Sequence, residues 1–141
     1  KGFKTTPFAF DKDGRLYNHE VGNNADGEAM NCHIESAEIE IDADGTRQFL
    51  IDRIIPDANM SVGTSLSVEF KTRKYPNATE ITKGPFPVVH NTEKISTRVK
   101  GRQIAIKYSS SGIDDEWALG DFRINAQADS VRWLDYHNHL L

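Results

Sequence analysis

Apolar and polar residues take turns along several stretches of this chain, and that two-residue period decides most of what it can fold into. In an extended strand successive side chains point to opposite faces, so alternation marks a strand with one face buried. Leu66, Val68, Phe70 and Thr72 fall on one side of such a stretch, with Ser65, Ser67, Glu69, Lys71 and Arg73 on the other. Ile104, Ile106 and Tyr108 oppose Gln103, Ala105 and Lys107 in the same way, and Phe122, Ile124 and Ala126 oppose Arg123, Asn125 and Gln127. No window carries an apolar stripe at helical spacing. The nearest helical candidate is one turn around Asp114-Asp115-Glu116-Trp117.

Two stretches depart from simple alternation. Cys32 and Ile34 occupy even positions while Ala37, Ile39 and Ile41 occupy odd ones. A one-residue slip near Ser36 therefore predicts a β-bulge or bend, since otherwise the core face would flip. From Gln48 to Ile55 the chain is apolar on both faces, the pattern of a more central strand, and Pro56 stops it. Asp13-Gly14, Asp26-Gly27 and Asp44-Gly45 are turn dipeptides. Hairpins are expected at Asp11-Lys12-Asp13-Gly14 and Asp42-Ala43-Asp44-Gly45, and loops at Tyr75-Pro76-Asn77 and Gly84-Pro85-Phe86-Pro87, the second opening an extended run into Val88-Val89. The spacing of these signals predicts about eight to ten strands in an all-β fold, an antiparallel β-sandwich or barrel-like module.

The 141 residues, 38% of them apolar, suffice for one ordinary core. The chain opens at Lys1 without an initiator Met, on residues that already read as strand, as a fragment of a longer polypeptide would. Its 21 acidic and 17 basic residues are interspersed, giving a net charge of −4 and no basic stripe for gripping a phosphate backbone. The single Cys32 forms no internal disulfide and is expected to be buried as a small apolar residue. No apolar run approaches the roughly 18 residues of a membrane span, and the N-terminus has no signal-peptide pattern.

Candidate chemistry is sparse. His19, His33 and His90 lie in separate segments, and His137 and His139 sit two apart near the C-terminus; none has metal-ligand spacing, so no metal and no cofactor are expected. The Asp-x-Asp-Gly pairs at Asp11 and Asp42 open like calcium loops. An EF-hand needs a Glu at its twelfth position, where this chain has Gly22 and Arg53, so the aspartates are read as turn caps. No nucleophile elbow, cysteine-protease flank or glycine-rich phosphate loop occurs, and no catalytic residues are assigned. Two groups remain as interaction candidates. Arg98-Val99-Lys100-Gly101-Arg102 is the one local basic cluster, and Arg98 and Arg102 could dock an acidic neighbour. The alternative is a solvated strand start with Gly101 at a tight approach. Trp117, beside Asp114, Asp115 and Glu116, fits a carbohydrate- or receptor-binding site, or an aromatic anchoring the next strand.

The order of motifs resembles a known family. Gly14-Arg15-Leu16-Tyr17-Asn18-His19-Glu20-Val21-Gly22, then Asn24-Ala25-Asp26-Gly27 and Ile34-Glu35-Ser36, are similar to the last propeller-type strands of tail proteins from short-tailed bacteriophages. Arg53-Ile54-Ile55-Pro56-Asp57, Lys71-Thr72-Arg73-Lys74-Tyr75-Pro76 and Gly84-Pro85-Phe86 continue the series. Thr97-Arg98-Val99-Lys100-Gly101-Arg102-Gln103 and Trp117-Ala118-Leu119-Gly120-Asp121-Phe122-Arg123 close it. Together they resemble the C-terminal portion of the tail nozzle, or packaged-DNA stabilisation, family; Ala128-Asp129-Ser130 departs from it where a glycine-rich turn belongs.

The resemblance implies a propeller-type β-hairpin segment over residues 1–30, an antiparallel β-sandwich over 31–130 and a C-terminal tail over 131–141. It further implies a structural virion protein that forms a homo-oligomeric ring, expected to be a hexamer, with other tail proteins as partners. Viral DNA would pass through without sequence-specific binding. The location implied is the virion tail, after assembly in the host cytoplasm. The competing expectation is a carbohydrate- or receptor-binding β-sandwich.

Overall fold

A computed structural model describes residues 6–41 and 47–129, and among them every regular element is a strand. The twelve strands are β1 (Phe8–Phe10), β2 (Leu16–Asn18), β3 (Cys32–Glu35), β4 (Ile39–Glu40), β5 (Phe49–Ile55) and β6 (Ala58–Met60), followed by β7 (Leu66–Arg73), β8 (Ile81–Val88), β9 (Ile95–Gly101), β10 (Gln103–Ser110), β11 (Trp117–Leu119) and β12 (Arg123–Ala128). All pairings are antiparallel.

Two sheets build the body. One runs β3-β10-β7-β8, with β4 sharing β3's edge of β10; the other runs β12-β5-β9. The predicted core phase holds. Leu66, Val68, Phe70 and Thr72 on β7 are buried, as are Ile104, Ile106 and Tyr108 on β10. All of these but Thr72 share one apolar cluster with Phe49, Ile51 and Ile54 of β5 and Ile95 and Val99 of β9, so the sheets pack face to face. Ile124 and Ala126 of β12, and Phe122 just before it, lean on this core while remaining partly exposed. The sheets stay separate and close no barrel among the described residues.

The chain crosses between the sheets at a one-residue corner. β9 ends at Gly101 and β10 starts at Gln103, while the Arg102 N–H donates to the Arg73 carbonyl at 2.8 Å. Gly101 fits because the corner is tight: an added Cβ would sit 3.1 Å from the Thr72 Cβ. The basic cluster is therefore the end of a strand and a corner, not a strand start.

The slip near Ser36 is a bulge. β3 pairs Glu35 with Lys107 and β4 pairs Ile39 with Ile104, so three residues on this edge face two on β10. Ser36 fills the gap, its N–H donating to the Ile106 carbonyl and its hydroxyl accepting from the Ile106 N–H. In β5 the register shifts between Ile51 and Arg53, moving the core positions from Phe49 and Ile51 to Ile54. β5 is the middle strand of its sheet, but Ile55 is turned outward, so part of its two-faced apolar pattern reflects this phase change.

Three expectations need correction. Gly84-Pro85-Phe86-Pro87 is not a loop but lies within β8, where the pairing shifts between Val68 and Phe70. β8 is an edge strand, which tolerates prolines. Gly84 takes a φ of +120°, and an added Cβ would lie 2.8 Å from the Val68 carbonyl oxygen. Cys32 is exposed rather than buried, because β3 lies at the edge of the wider sheet and the three-stranded sheet leaves it uncovered. Asp114–Trp117 forms no helix: Asp115 accepts a hydrogen bond from the Gly112 N–H, and β11 begins at Trp117. The expected hairpin at 42–45 falls on residues 42–46, and His137, His139 and the tail fall on residues 130–141; both lie outside the described residues.

Candidate interaction surfaces

The solvent face of the wider sheet is an ionic lattice. Lys71 bridges Glu35 at 2.7 Å, Arg73 bridges Glu38 at 2.8 Å and Glu80 at 3.3 Å, and Lys107 bridges Glu69 at 3.6 Å. The hydrogen bond from Lys71 holds the Glu35 carboxyl below its ordinary value and lifts the lysine in return. These cations are matched within the chain and are left with little for a partner.

Arg98 and Arg102 lie outside this lattice. Arg98 projects from β9 into an open cleft between β8 and β9, lined by Leu50, Thr72, Ile81, Lys83 and Lys100, with Asp129 beside Lys100. Lys100 and Asp129 pair, whereas among the described residues Lys83, Arg98 and Arg102 have no acidic partner. The Arg102 Nε is buried and without a hydrogen bond. The structure thus places Arg98 with Lys83, a residue sequence reading did not single out, and leaves Arg102 at the corner.

Trp117 serves the fold. β11 pairs with β6 as a two-stranded lid, Trp117 opposite Met60, and both side chains pack against the core. Its indole N–H donates to the Ser110 hydroxyl at 2.9 Å, a hydroxyl that the Cys32 sulfur also approaches at 3.1 Å. Glu116 turns away to accept from the Ser61 hydroxyl at 3.0 Å. The ring is an anchor with its polar end satisfied, and a stacking platform for sugar would need it free.

Two apolar surfaces were not foreseen. In the first, none of the described residues from 6 to 41 is buried, and none joins the core cluster. The β1–β2 hairpin leads this segment. Asp11 caps its turn, accepting from the Asp13 and Arg15 N–H groups at 2.8 Å, which bears out the turn-cap reading. Phe10 is 68% exposed, Val21 61% and Leu16 54%. Phe10, Tyr17, Val21 and Met30 line an open concavity of about 560 Å³. The arm is the part of this segment before β3, and one side-chain hydrogen bond among the described residues, from Asn24 Nδ2 to Asp114 Oδ1 at 2.5 Å, ties it to the β10–β11 loop.

The second surface is the seam between β12 and the β3–β4 edge. Ile34 and Ile39 pair with Tyr108 and Ile104, which puts them on the core side of their sheet, yet both stay exposed. Ile41 follows them and lines an apolar cleft with Phe49, Ala126 and Ala128. The wider sheet overhangs the narrower one here.

Among the described residues no group of His, Cys, Asp and Glu is arranged to hold a metal ion. The perturbed group in the core is Tyr108, whose hydroxyl is buried without a partner and pushed up to about 12 by burial. Among the described residues no helix is long and apolar enough to cross a membrane. Compared with known proteins, the chain matches no family model and no curated protein.

Proposed function

We propose that this protein is a structural component of a bacteriophage tail, a nozzle or tail-tube subunit that assembles into a ring and supports the conduit through which the genome is retained and ejected. The observation that carries the reading is the contrast between a packed sandwich and an N-terminal arm on which Phe10, Leu16, Val21 and Met30 stay exposed among the described residues. A lone two-stranded hairpin is marginal in water, and exposed apolar surface on this scale marks an interface. Other subunits would supply the missing cover.

The ordered motifs that resemble the tail nozzle family run from this arm through the sandwich, which supports placing both in one assembly. In that setting the arm is the end of a propeller-type unit and the sandwich a neighbouring ring layer. The mild negative charge and self-matched ionic lattice suit a wall that DNA slides past, because the cations of that sheet face are held by carboxylates and offer little grip on phosphates. The carbohydrate-binding alternative loses its main support, since Trp117 is committed to the core and to Ser110.

Electron microscopy of the full-length protein tests the reading. Rings that match a density layer at the end of the tail in the parent particle are the expected result. Monomers at every concentration, and a parent particle without such a ring, would sink it.

A further inference from the structure

We infer that the basic cleft between β8 and β9 is a docking socket for the β10–β11 loop of a second copy of this chain, giving a head-to-tail contact. The inference rests on the assembly reading above and names the surfaces that make one of its contacts.

The two surfaces lie at opposite ends of β10. The cleft is grouped around the Gln103 end, since Ile81 pairs with Thr72 and Thr72 with Ile104. The loop leaves the Ser110 end and runs from Ser111 to Glu116. Eight residues of strand separate them, roughly 25 Å at the usual rise. A surface at one end that fits a surface at the other generates a heterologous contact, which closes into a ring when the rotation permits.

Their chemistry is complementary. Among the described residues Lys83 and Arg98 have no acidic partner, and Ile81 beside them is 44% exposed. On the loop, Ile113 is 59% exposed and is followed by Asp114, Asp115 and Glu116. Each of these carboxylates accepts a hydrogen bond from a neutral group, Asn24, the Gly112 N–H and Ser61 respectively, and none meets a cation among the described residues. The hydrogen bonds hold the loop in one shape and leave its negative charge uncompensated. An apolar tip followed by carboxylates thus faces a cleft that holds Leu50 and Ile81, the cations Lys83 and Arg98, and the paired Lys100 and Asp129. The guanidinium of Arg98 can take a carboxylate through two parallel hydrogen bonds, which a solvated surface pair rarely achieves.

Sedimentation of the full chain across a concentration series tests this, with Arg98→Glu, Glu116→Arg and an equimolar mixture of the two. Both positions are exposed and outside the core, so melting temperatures should match the wild type. Each variant alone is expected to self-associate at least tenfold more weakly, and the mixture to regain association because the reversed charges meet. Arg98→Lys should retain much of it. Wild-type association should weaken at roughly 0.5 M salt, where screening acts within about 4 Å. Rings that form normally from Arg98→Glu would overturn the socket and leave the tail reading intact. A wild type that never self-associates would overturn both.

Discussion

The sandwich and the N-terminal arm are both built from short antiparallel strands, yet they stand at opposite ends of the stability scale. In the sandwich, side chains from two sheets meet over one core, and residues such as Ile54, Leu66, Val68, Phe70 and Val99 lose all contact with water. In the arm, backbone pairing between Phe8–Phe10 and Leu16–Asn18 is regular, but no described side chain is buried. Ladder hydrogen bonds exchange for bonds to water at little net gain, whereas burial contributes about 25 cal/mol per Å². The body has this driving force within the sandwich; the described residues of the arm bury no side chain of their own.

The most direct way to break the comparison is to charge the core. Phe70→Asp puts a carboxylate at a fully buried position where Phe86 lies edge-on at 5.9 Å. A loss of several kcal/mol is expected, enough to abolish the cooperative melting transition followed by circular dichroism. A wild-type-like melt would mean that the strand phase is wrong.

Tyr108→Phe probes the same core through pH. Burial holds the native hydroxyl near 12, against about 10 in the unfolded chain, so folding favours the neutral phenol. Its contribution is complete below about pH 10 and is lost as pH rises from 10 to 12, by up to roughly 3 kcal/mol. Chemical denaturation across that window should show wild type losing stability relative to Tyr108→Phe, which at neutral pH should equal or exceed the wild type because the buried hydroxyl has no hydrogen-bond partner.

Gly84→Ala should cost about 1 to 2 kcal/mol in the same assay, through its positive φ and the clash with the Val68 carbonyl. The smallest effect belongs to the arm. Phe10→Asp should leave the melting temperature of the isolated chain within the span of about 0.5 kcal/mol while reducing assembly, because this side chain contributes to a surface and not to the core. A large drop in melting temperature would show that the arm is part of the folding unit.

Much of the body was legible before the structure. β7 and β10 alternate without interruption, and the slip at Ser36 announced the bulge because a side-chain period of two makes a single insertion visible. The shift inside β5 was hidden: isoleucine and leucine on both faces look the same whether a strand is central or changes phase at Asp52. β8 was hidden by its prolines, which read as loop unless the strand is known to lie at an edge. β6 and β11, three residues each, are too short to show any period.

The sites were less readable than the fold. Arg98 stood out as part of a basic cluster, but its meeting with Lys83 depends on a pairing across distant sequence. Trp117 looked like a binding residue because its carboxylate neighbours are adjacent in sequence, whereas in space they point elsewhere. The exposure of Cys32 and Ile34 follows from one sheet being wider than the other, a property of the assembled fold that no local pattern records.

Pro85 and Pro87 have a consequence beyond the packing of β8. A strand at the rim of a sheet normally advertises a row of amide hydrogens, and molecules crowded side by side tend to zip together along such rows into fibrils. Two of those hydrogens are missing here, on the stretch that also bends at Gly84. A protein accumulating in many copies would be guarded along this border against runaway stacking and left free to join its neighbours elsewhere.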